Sequence, residues 1–351
     1  MRQTAIFASL IVMMATPAMS WAAEPSPATA GAEENSDQLI QEINQLSDSD
    51  RAALIDSFMI GSVRFVVFHE LGHFLIDEYD IPVLGREEDA ADRYAAYTLA
   101  ATTPPAEMVA SITLWLALGY LGEHERDKIA WWDEHSIEEQ RAFQLACLIA
   151  GMLPDRFANL PTELGAPAER AQMCGREADN NARAWQVSLV QQEGVILDLQ
   201  KATISYELAP PEFADDKTWL EGTHLLDGVG REIARYKLPQ YRIELRDEER
   251  KKEYDRLTNP DAQPVNDARL NPEIKLVAQS CEKANAYYDN GLRVGIFSIF
   301  SKPAPREAPQ IVVCYELIDQ FRMIANAIFA PSASPATPGE ETTPSQEPKP
   351  Q

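Results

Sequence analysis

The chain contains 351 residues and carries a formal net charge of −24, with a pI near 4.6. This excess of negative charge argues against nucleic acids and anionic membrane surfaces as partners, because both would repel it. Residues 36–329 lie between two polar, Pro-containing terminal segments, and this length suffices for one large domain or two small ones.

The first 22 residues have the pattern of a secretory signal peptide. Arg2 supplies the positive charge, and the apolar stretch Ala5–Met14 is too short to span a bilayer. Ser20 and Ala22 are small residues at the positions that a signal peptidase reads. We predict that no other stretch is long and apolar enough to be a transmembrane helix. We therefore predict an exported, periplasmic or secreted protein without a transmembrane segment.

Two terminal segments, residues 23–35 and 330–351, are rich in Ala, Pro, Glu and Ser. Segments of this composition cannot bury enough apolar surface to offset their ordering entropy, so we predict that both are disordered. The folded part is then 36–329, with a helix-rich half over 36–200 and an α/β half over 201–329.

The helix-rich half contains the motif His-Glu-Leu-Gly-His at residues 69–73. Residues four apart share a face of a helix, so His69 and His73 can bind one metal ion through two imidazole nitrogens. Glu70 is rotated partway around the helix, where it can act as a general base on a catalytic water without being a ligand. Residues 63–76 are mostly apolar, which predicts a buried helix. A metal ion offsets the cost of burying these polar side chains.

A catalytic zinc site has three protein ligands and one open position. The sequence does not follow the metzincin pattern, in which a third histidine completes the site. Ile76 occupies the position of the glycine in that pattern, and Tyr79 occupies the position of the third histidine. A helix beginning near Glu87 would instead present Glu88 and Asp92 on one face. We predict that Glu88 is the third ligand and that Asp92 accepts the free ring N–H of a ligating histidine. Glu87 is a rival ligand, and a solvated helix N-terminus is the alternative explanation for Glu88 and Asp92.

The pairing of His-Glu-x-x-His with a downstream Glu-x-x-x-Asp resembles the gluzincin metallopeptidases. Glu88–Ala96 is also similar to the third-ligand helix of a membrane-bound branch of that class. The motif at residues 69–73, followed by Ile81–Asp92, resembles a family of secreted bacterial metallopeptidases that is catalogued as a domain of unknown function. This resemblance implies the zinc peptidase class and indicates no particular substrate. We predict a zincin-like catalytic domain over 36–329 with one Zn²⁺ per chain, and a peptide or protein as the substrate of such an enzyme.

His135 lies just before another predicted helix, where Ser136 and Glu139 are spaced as a capping box. A surface histidine beside a helix cap is the simple explanation. The family that the chain resembles also has an acidic-His stretch followed by Gln-Arg, which is matched here by His135 and Gln140–Arg141. His135 is therefore a candidate donor to the oxyanion of the reaction.

The four cysteines are Cys147, Cys174, Cys281 and Cys314. An even number in an exported chain predicts two disulfides, with three possible pairings. We favour Cys147–Cys174 and Cys281–Cys314, because each pair lies within one segment of the chain. A cysteine-ligated metal is disfavoured, since no two cysteines have Cys-x-x-Cys spacing.

After about residue 200 the sequence becomes β-prone. Short β-prone runs occur at 202–208, 241–245, 273–278, 292–300 and 311–315, and a helix is predicted over 216–236. We therefore predict an α+β fold. A mainly helical, zincin-like domain would carry a small C-terminal β-sheet packed against the helix that contains the histidines.

The second half resembles the same family in an altered order. In that family, a β segment with the pattern Cys…Asn-Ala-aromatic-Tyr-Asp…Cys-Tyr-Glu precedes the zinc helix. Here the matching residues are 281, 285–289 and 314–316, after that helix. The resemblance implies a circular permutation, in which the helix near 317–328 packs beside the start of the helical run 50–77.

Zinc peptidases of this type commonly bind substrate along an exposed sheet edge. Ile311–Cys314 is the candidate edge strand, and Asn285 and Tyr288 are predicted to face the cleft. Tyr288 is, with His135, a candidate donor to the oxyanion. The alternative is that this aromatic cluster belongs to the core and is anchored by a disulfide.

Together these features predict a zinc metallopeptidase that hydrolyses peptide bonds with Glu70 as general base. Two alternatives stay open: a non-catalytic exported module that keeps zinc as a structural fastener, and a zinc amidase that acts on cell-wall peptides. The presence of Glu70 argues against the first, because a purely structural site gains nothing from a base there.

Overall fold

The computed structural model describes residues 41–78, 81–122, 132–189, 203–209, 273–291 and 309–330. Within these ranges the chain has a mainly helical α+β fold, as predicted. The helices are α1 (Asp48–Glu78), α2 (Glu87–Thr102), α3 (Pro105–Gly122), α4 (Glu138–Met152), α5 (Pro154–Phe157), α6 (Leu160–Glu163), α7 (Ala168–Ala171), α8 (Cys174–Leu189) and α9 (Tyr315–Phe329). The strands are β1 (Thr203–Leu208), β2 (Glu273–Gln279), β3 (Ala286–Asp289) and β4 (Gln310–Cys314).

Three of the predicted strands are present, since the runs at 202–208, 273–278 and 311–315 correspond to β1, β2 and β4. Strand β3 was not among the predicted runs, although its two adjacent tyrosines favour a strand. The predicted signal peptide, the linker and most of the tail lie outside the described residues. The same holds for the predicted helix over 216–236 and the runs at 241–245 and 292–300.

The long helix α1 is the centre of the helical half. Its second half is buried nearly all round, because its mostly apolar side chains pack against α2, α3 and the sheet. By length and composition alone α1 could cross a membrane, so the prediction that no stretch beyond the signal peptide is long and apolar enough is wrong. Most of its apolar window is buried inside the protein, as in the core helix of a soluble protein. The absence of a transmembrane segment therefore stays a prediction.

Helices α1 and α2 approach each other closely. The chain turns between them at Gly85, whose φ of 126° is a conformation that other residues rarely adopt. A Cβ atom on Gly72 would lie only 2.9 Å from the Cα atom of Ala91. The glycine on α1 therefore allows the backbone of α2 to pack against it. This contact brings the start of α2 beside the two histidines.

The described strands form one mixed sheet in the order β1-β2-β4-β3. Strands β1, β2 and β4 are parallel, and β3 is antiparallel to β4. The prediction that Ile311–Cys314 is the exposed edge is wrong, because β4 pairs with a strand on each side. The edge beside α1 is β3, whose Tyr288 ring packs on Phe74 with centroids 5.8 Å apart. The sheet is packed against α1, as predicted.

Helix α9 packs beside the first half of α1. The Phe329 ring makes an edge-to-face contact with Phe58 at 6.3 Å, and the Phe329 carbonyl accepts a hydrogen bond from Arg51. The end of α9 thus lies next to the start of α1, where an unpermuted chain would be continuous. This contact was predicted, whereas the circular permutation itself stays a prediction.

Both favoured disulfides are present. Cys147–Cys174 joins α4 to α8, and Cys281–Cys314 joins the segment before β3 to the end of β4. The backbone N–H of Cys314 also donates to the carbonyl of Asn285 at 3.0 Å. The start of the edge strand is therefore held by a covalent bond as well as by sheet pairing.

We predict that Gly72→Ala lowers the free energy of unfolding by about 1–3 kcal/mol, because the new Cβ forces α1 and α2 apart. Urea or thermal unfolding measures the change. Gly175→Ala is the matched control, since a Cβ at this position in α8 meets nothing within 4 Å. The control should be as stable as wild type or slightly more stable. Wild-type stability of Gly72→Ala would contradict the close packing of the two helices.

Candidate metal centre and cleft

Three side chains from α1 and α2 converge on one point. His69 Nε2 lies 3.1 Å from His73 Nε2 and 3.0 Å from Glu88 Oε2. His73 Nε2 lies 3.4 Å from Glu88 Oε1. These spacings agree with tetrahedral zinc, whose ligand atoms, about 2.0–2.1 Å from the metal, lie about 3.3 Å from one another. The three residues therefore form a group that could hold a metal ion.

The other nitrogen of each ring is held by a carboxylate. His69 Nδ1 lies 2.8 Å from Asp92 Oδ1, and His73 Nδ1 lies 2.8 Å from Glu87 Oε1. A carboxylate accepts hydrogen bonds, so we assign the ring proton to Nδ1 in both histidines and a lone pair to each Nε2. Two bare lone pairs 3.1 Å apart would repel each other, and a cation between them, either a proton or a metal ion, removes that repulsion. The donor set fits zinc.

Glu88, and not its neighbour Glu87, brings its oxygens to the two Nε2 atoms. Glu88 Oε2 is buried and makes no hydrogen bond, although His69 Nε2 and His135 Nε2 both lie 3.0 Å away without the required alignment. A buried carboxylate oxygen without a donor is costly, and coordination of a metal would satisfy it.

The charges around this centre shift the pKa values of its members. Burial alone would lower the pKa of His69, but the hydrogen bond with Asp92 and the nearby Glu88 carboxylate raise it to about 9. Burial would raise the pKa of Glu88, but the surrounding histidines hold that pKa well below its usual range. Glu88 is therefore ionised, and a metal ion that binds here must displace a proton from the imidazoles.

Asp92 connects the candidate metal centre to α4. In addition to contacting His69, it accepts two hydrogen bonds from Arg141, at 2.8 Å from Nε and 2.6 Å from Nη2. The buried guanidinium of Arg141 also lies 3.7 Å from the centre of the Trp115 ring, a cation–π contact. Burial would raise the pKa of Asp92, but His69 and Arg141 lower it. The ionised carboxylate thus makes the contact predicted for it and can orient His69.

Glu70 lies beside the ligand atoms on the wall of the cleft. Its side chain is buried, and burial raises its pKa. The backbone N–H of Tyr288, on strand β3, donates to the Glu70 carboxylate. The sheet edge is therefore in direct contact with the candidate general base.

The loop before α4 brings His135 to the centre. His135 Nε2 lies 3.0 Å from Glu88 Oε2, and its Nδ1 lies 3.3 Å from Asp133 Oδ1. The same Asp133 oxygen accepts the backbone N–H of His135 at 2.9 Å. About half of the His135 side chain is exposed, at 49%. His135 is thus part of the cleft and not an isolated surface histidine.

The predicted capping box at Ser136 is not formed, because α4 begins only at Glu138 and its N-cap makes no side-chain hydrogen bond. The Ser136 hydroxyl instead donates to Asp89 at 2.9 Å and accepts a hydrogen bond from Arg86 at 2.8 Å. These two bonds tie the loop that carries His135 to the start of α2.

The Tyr288 hydroxyl contacts two carboxylates at the end of α1. Its hydroxyl donates to Glu78 Oε1 at 2.6 Å and lies 3.0 Å from Asp77 Oδ2. Burial and these two carboxylates raise the pKa of Tyr288. A role of this hydroxyl as oxyanion donor stays a prediction.

An open cleft of about 1050 Å³ joins these groups. One side is formed by α1 with the start of α2, and the other by residues 285–290, which include β3. His135 lies at the same cleft. Asn285 and Tyr288 both face it, as predicted. An extended chain could therefore pass between the candidate metal centre and the sheet edge.

Three contacts in this centre were not predicted from the sequence. Glu87 was a rival candidate for the metal ligand, but its carboxylate accepts a hydrogen bond from His73 Nδ1. Asp133 accepts a hydrogen bond from the backbone N–H of His135, two residues later, which is a local turn that aspartate favours. The spacing of the two residues could therefore have predicted this contact. Arg141 lies 49 residues from Asp92, and no local pattern indicates that contact.

Comparison with known families agrees with this geometry. Residues 34–189 match the DUF4344 family, whose description is "Putative metallopeptidase". The match confirms the family resemblance and includes α1 and α2 with His69, His73 and Glu88, whereas the four strands lie outside it. No significant match to a curated protein or to a solved structure was found.

We predict that Glu88→Gln removes most of the zinc from the purified protein, because the site loses its anionic ligand. Elemental analysis after purification without chelator measures zinc per chain, with roughly one expected in wild type. Glu87→Gln is the matched control, since Glu87 contacts the outer nitrogen of His73, and it should keep most of the zinc. Zinc loss in Glu87→Gln combined with zinc retention in Glu88→Gln would reverse the assignment.

Asp92→Asn should weaken zinc binding by about 10–100-fold, because His69 loses the carboxylate that orients it. Competition with a chelating dye measures the affinity. The metal-free variant should also melt at a lower temperature, since buried Arg141 loses its anionic partner. Asp56→Asn removes the same charge from an exposed position on α1 and serves as the control. Wild-type affinity and stability in Asp92→Asn would show that Asp92 is dispensable.

Proposed function

We propose that the protein is a zinc-dependent metallopeptidase in which His69, His73 and Glu88 hold one Zn²⁺. The observation that carries this proposal is the convergence of these three side chains on one point, next to Glu70 and inside an open cleft. The family description of residues 34–189 supports the same class of enzyme. The substrate is then a peptide or a protein.

Zinc, when bound, supplies a Lewis acid that polarises the scissile carbonyl and makes water a better nucleophile. Glu70 is the general base: its carboxylate accepts a proton from the attacking water and passes it to the leaving amine. Burial, which raises the pKa of Glu70, makes it a stronger base. The backbone N–H of Tyr288 orients this carboxylate.

His135 is the candidate donor to the oxyanion that forms on the substrate carbonyl. Asp133 is positioned to hold its Nδ1 atom and its backbone N–H, which orients the ring on the loop. The Nε2 atom then lies at the cleft, 3.0 Å from Glu88. Because the Nδ1 proton faces Asp133, Nε2 can donate only from the protonated ring, a form that the Glu88 carboxylate favours by raising the pKa of His135. Such a donor would stabilise the negative charge of the transition state.

The substrate can bind as an added strand along β3. Because the Asn285 carbonyl pairs with Cys314 of β4, the alternate residues Ala286 and Tyr288 direct their backbone groups away from β4. This side of β3 borders the cleft. The Tyr288 N–H is already directed to Glu70, so the backbone groups of Ala286 and the carbonyl of Tyr288 are the ones left to pair with an extended peptide and bring its scissile bond near Glu70.

We also propose that the protein is exported from the cytoplasm. Two disulfides support this location, because such bonds persist in oxidising compartments. The signal pattern of residues 1–22 supports it as well. Mass spectrometry of the protein in periplasmic and culture fractions tests the proposal, and an uncleaved chain found only in the cytoplasm would contradict it.

The decisive variant is Glu70→Gln. It should lower kcat/KM for peptide hydrolysis by about 10²–10⁴-fold, because an amide cannot accept the proton, while zinc content stays at the wild-type level. Quenched fluorescent peptides measure the rate. Glu169→Gln, an exposed change on α7, is the matched control and should behave as wild type.

The same assays separate the competing functions. If zinc-loaded wild type cleaves neither a diverse peptide library nor cell-wall peptides, the protein is a non-catalytic zinc-binding module. If it cleaves cell-wall peptides alone, it is an amidase. Wild-type peptidase activity of Glu70→Gln would contradict the proposed mechanism.

A further inference from the structure

His69 is part of a closed series of side-chain contacts. Its Nδ1–H donates to Asp92 Oδ1 at 2.8 Å, and Asp92 accepts two hydrogen bonds from Arg141. The Arg141 guanidinium lies 3.7 Å from the centre of the Trp115 ring, which meets Phe65 edge to face with centroids 5.4 Å apart. Phe65, four residues before His69 on α1, stacks on the imidazole at 6.2 Å and closes the series. The edge and one face of the His69 ring therefore contact side chains that also support one another.

The polar members of this series are buried and tightly paired. His69 is 6% exposed, and Asp92 and Arg141 are each 8% exposed. The Arg141 Nε and Nη2 atoms donate to different oxygens of Asp92, so the carboxylate cannot rotate without breaking a bond. A lysine ammonium would keep the charge but lacks this planar, two-point geometry. Arg141 therefore fixes the orientation of Asp92 and, through it, that of His69.

The support of the second histidine is different. His73 Nδ1 also lies 2.8 Å from a carboxylate, that of Glu87, but half of the Glu87 side chain is exposed, at 50%. Exposed pairs of this kind contribute little, because water competes for the contact and the long side chain loses entropy when it is held. One candidate ligand thus has a rigid, buried support, whereas the other has a support at the surface.

We propose that Arg141 is a positioning residue of the metal centre and contributes more to metal affinity than Glu87. Glu87 bonds a candidate ligand directly, whereas the hydrogen bonds of Arg141 reach only Asp92. A ligand whose ring is already oriented loses less freedom when the metal binds, so a distant residue that fixes the ring raises affinity. The inference rests on the proposed zinc site and adds to it a residue outside the described lining of the cleft.

The zinc affinity of the purified protein, measured by competition with a chelating dye, tests this ranking. Arg141→Lys should weaken zinc binding by about tenfold, because lysine cannot hold both oxygens of Asp92. Glu87→Gln should weaken it by about twofold or less, because only an exposed contact is altered. Arg93→Lys makes the same substitution at an exposed position of α2 and should bind zinc as wild type does. Circular dichroism verifies that each variant is folded.

A double-mutant cycle shows whether Arg141 acts through Asp92. Adding Arg141→Lys to Asp92→Asn should cause no further loss of zinc affinity, since the carboxylate through which Arg141 acts is already gone. Losses that multiply in the double variant would overturn the inference. Wild-type affinity of Arg141→Lys, or a larger loss in Glu87→Gln than in Arg141→Lys, would overturn it as well.

Exchange of the His69 ring proton separates positioning from a general loss of stability. In the zinc-loaded wild type the Nδ1–H is buried against Asp92 and should exchange slowly with solvent in nitrogen-15 NMR spectra. Arg141→Lys should speed this exchange selectively, while backbone amides of the core keep their protection. Faster exchange throughout the core without a selective change at His69 would show a merely structural role and contradict the proposal.

Hydrolysis by zinc-saturated protein is a separate readout. Arg141→Lys should lower kcat more than it changes KM, because Arg141 lies outside the described lining of the cleft. If wild type hydrolysed no peptide, the proposed function would fail while the expected zinc affinities stayed the same. The two claims can therefore fail independently.

Discussion

The candidate centre depends on burying polar groups inside an apolar helix. His69 and Glu70 are each less than a tenth exposed, so both need partners to offset their desolvation. Asp92 forms a hydrogen bond with His69, Arg141 donates hydrogen bonds to Asp92, and the Trp115 ring packs on the Arg141 guanidinium. This series of contacts runs from α1 through α2 to α4. Removing one member leaves the next as a buried charge without a partner, which is why these distant residues behave as one unit.

The geometry of the ligands follows from backbone packing as much as from side-chain chemistry. Gly72 lets α2 approach α1, and Gly61 does the same for the start of α3, where an added Cβ would lie 2.2 Å from the Glu107 carbonyl oxygen. Bulky residues elsewhere on α1 fill the core that both neighbours share. One helix thus supplies the histidines and, through its glycines, fixes how closely the carboxylates of α2 can approach them.

Local spacing made part of this centre predictable. His69 and His73 are four residues apart on α1, and Glu88 and Asp92 are four residues apart on α2, so the sequence was sufficient to propose that each pair shares one face of its helix. The partner of Asp92 was not predictable in the same way, because Arg141 arrives through tertiary packing from α4. The edge strand was misjudged although a signal was present. The consecutive apolar residues Ile311–Val313 are typical of a strand buried on both faces, and β4 is indeed internal.

The two halves of the chain contribute differently to the cleft. The candidate ligand atoms come from the segment that matches the DUF4344 family, whereas the opposite wall comes from residues 285–290, outside that match. That wall is anchored by the Cys281–Cys314 disulfide and by the packing of Tyr288 on Phe74. Its Tyr288 N–H reaches the Glu70 carboxylate. In the proposed mechanism, therefore, α1 and α2 suffice to hold the metal, but the base is oriented and the substrate is aligned only when the C-terminal sheet is docked against them.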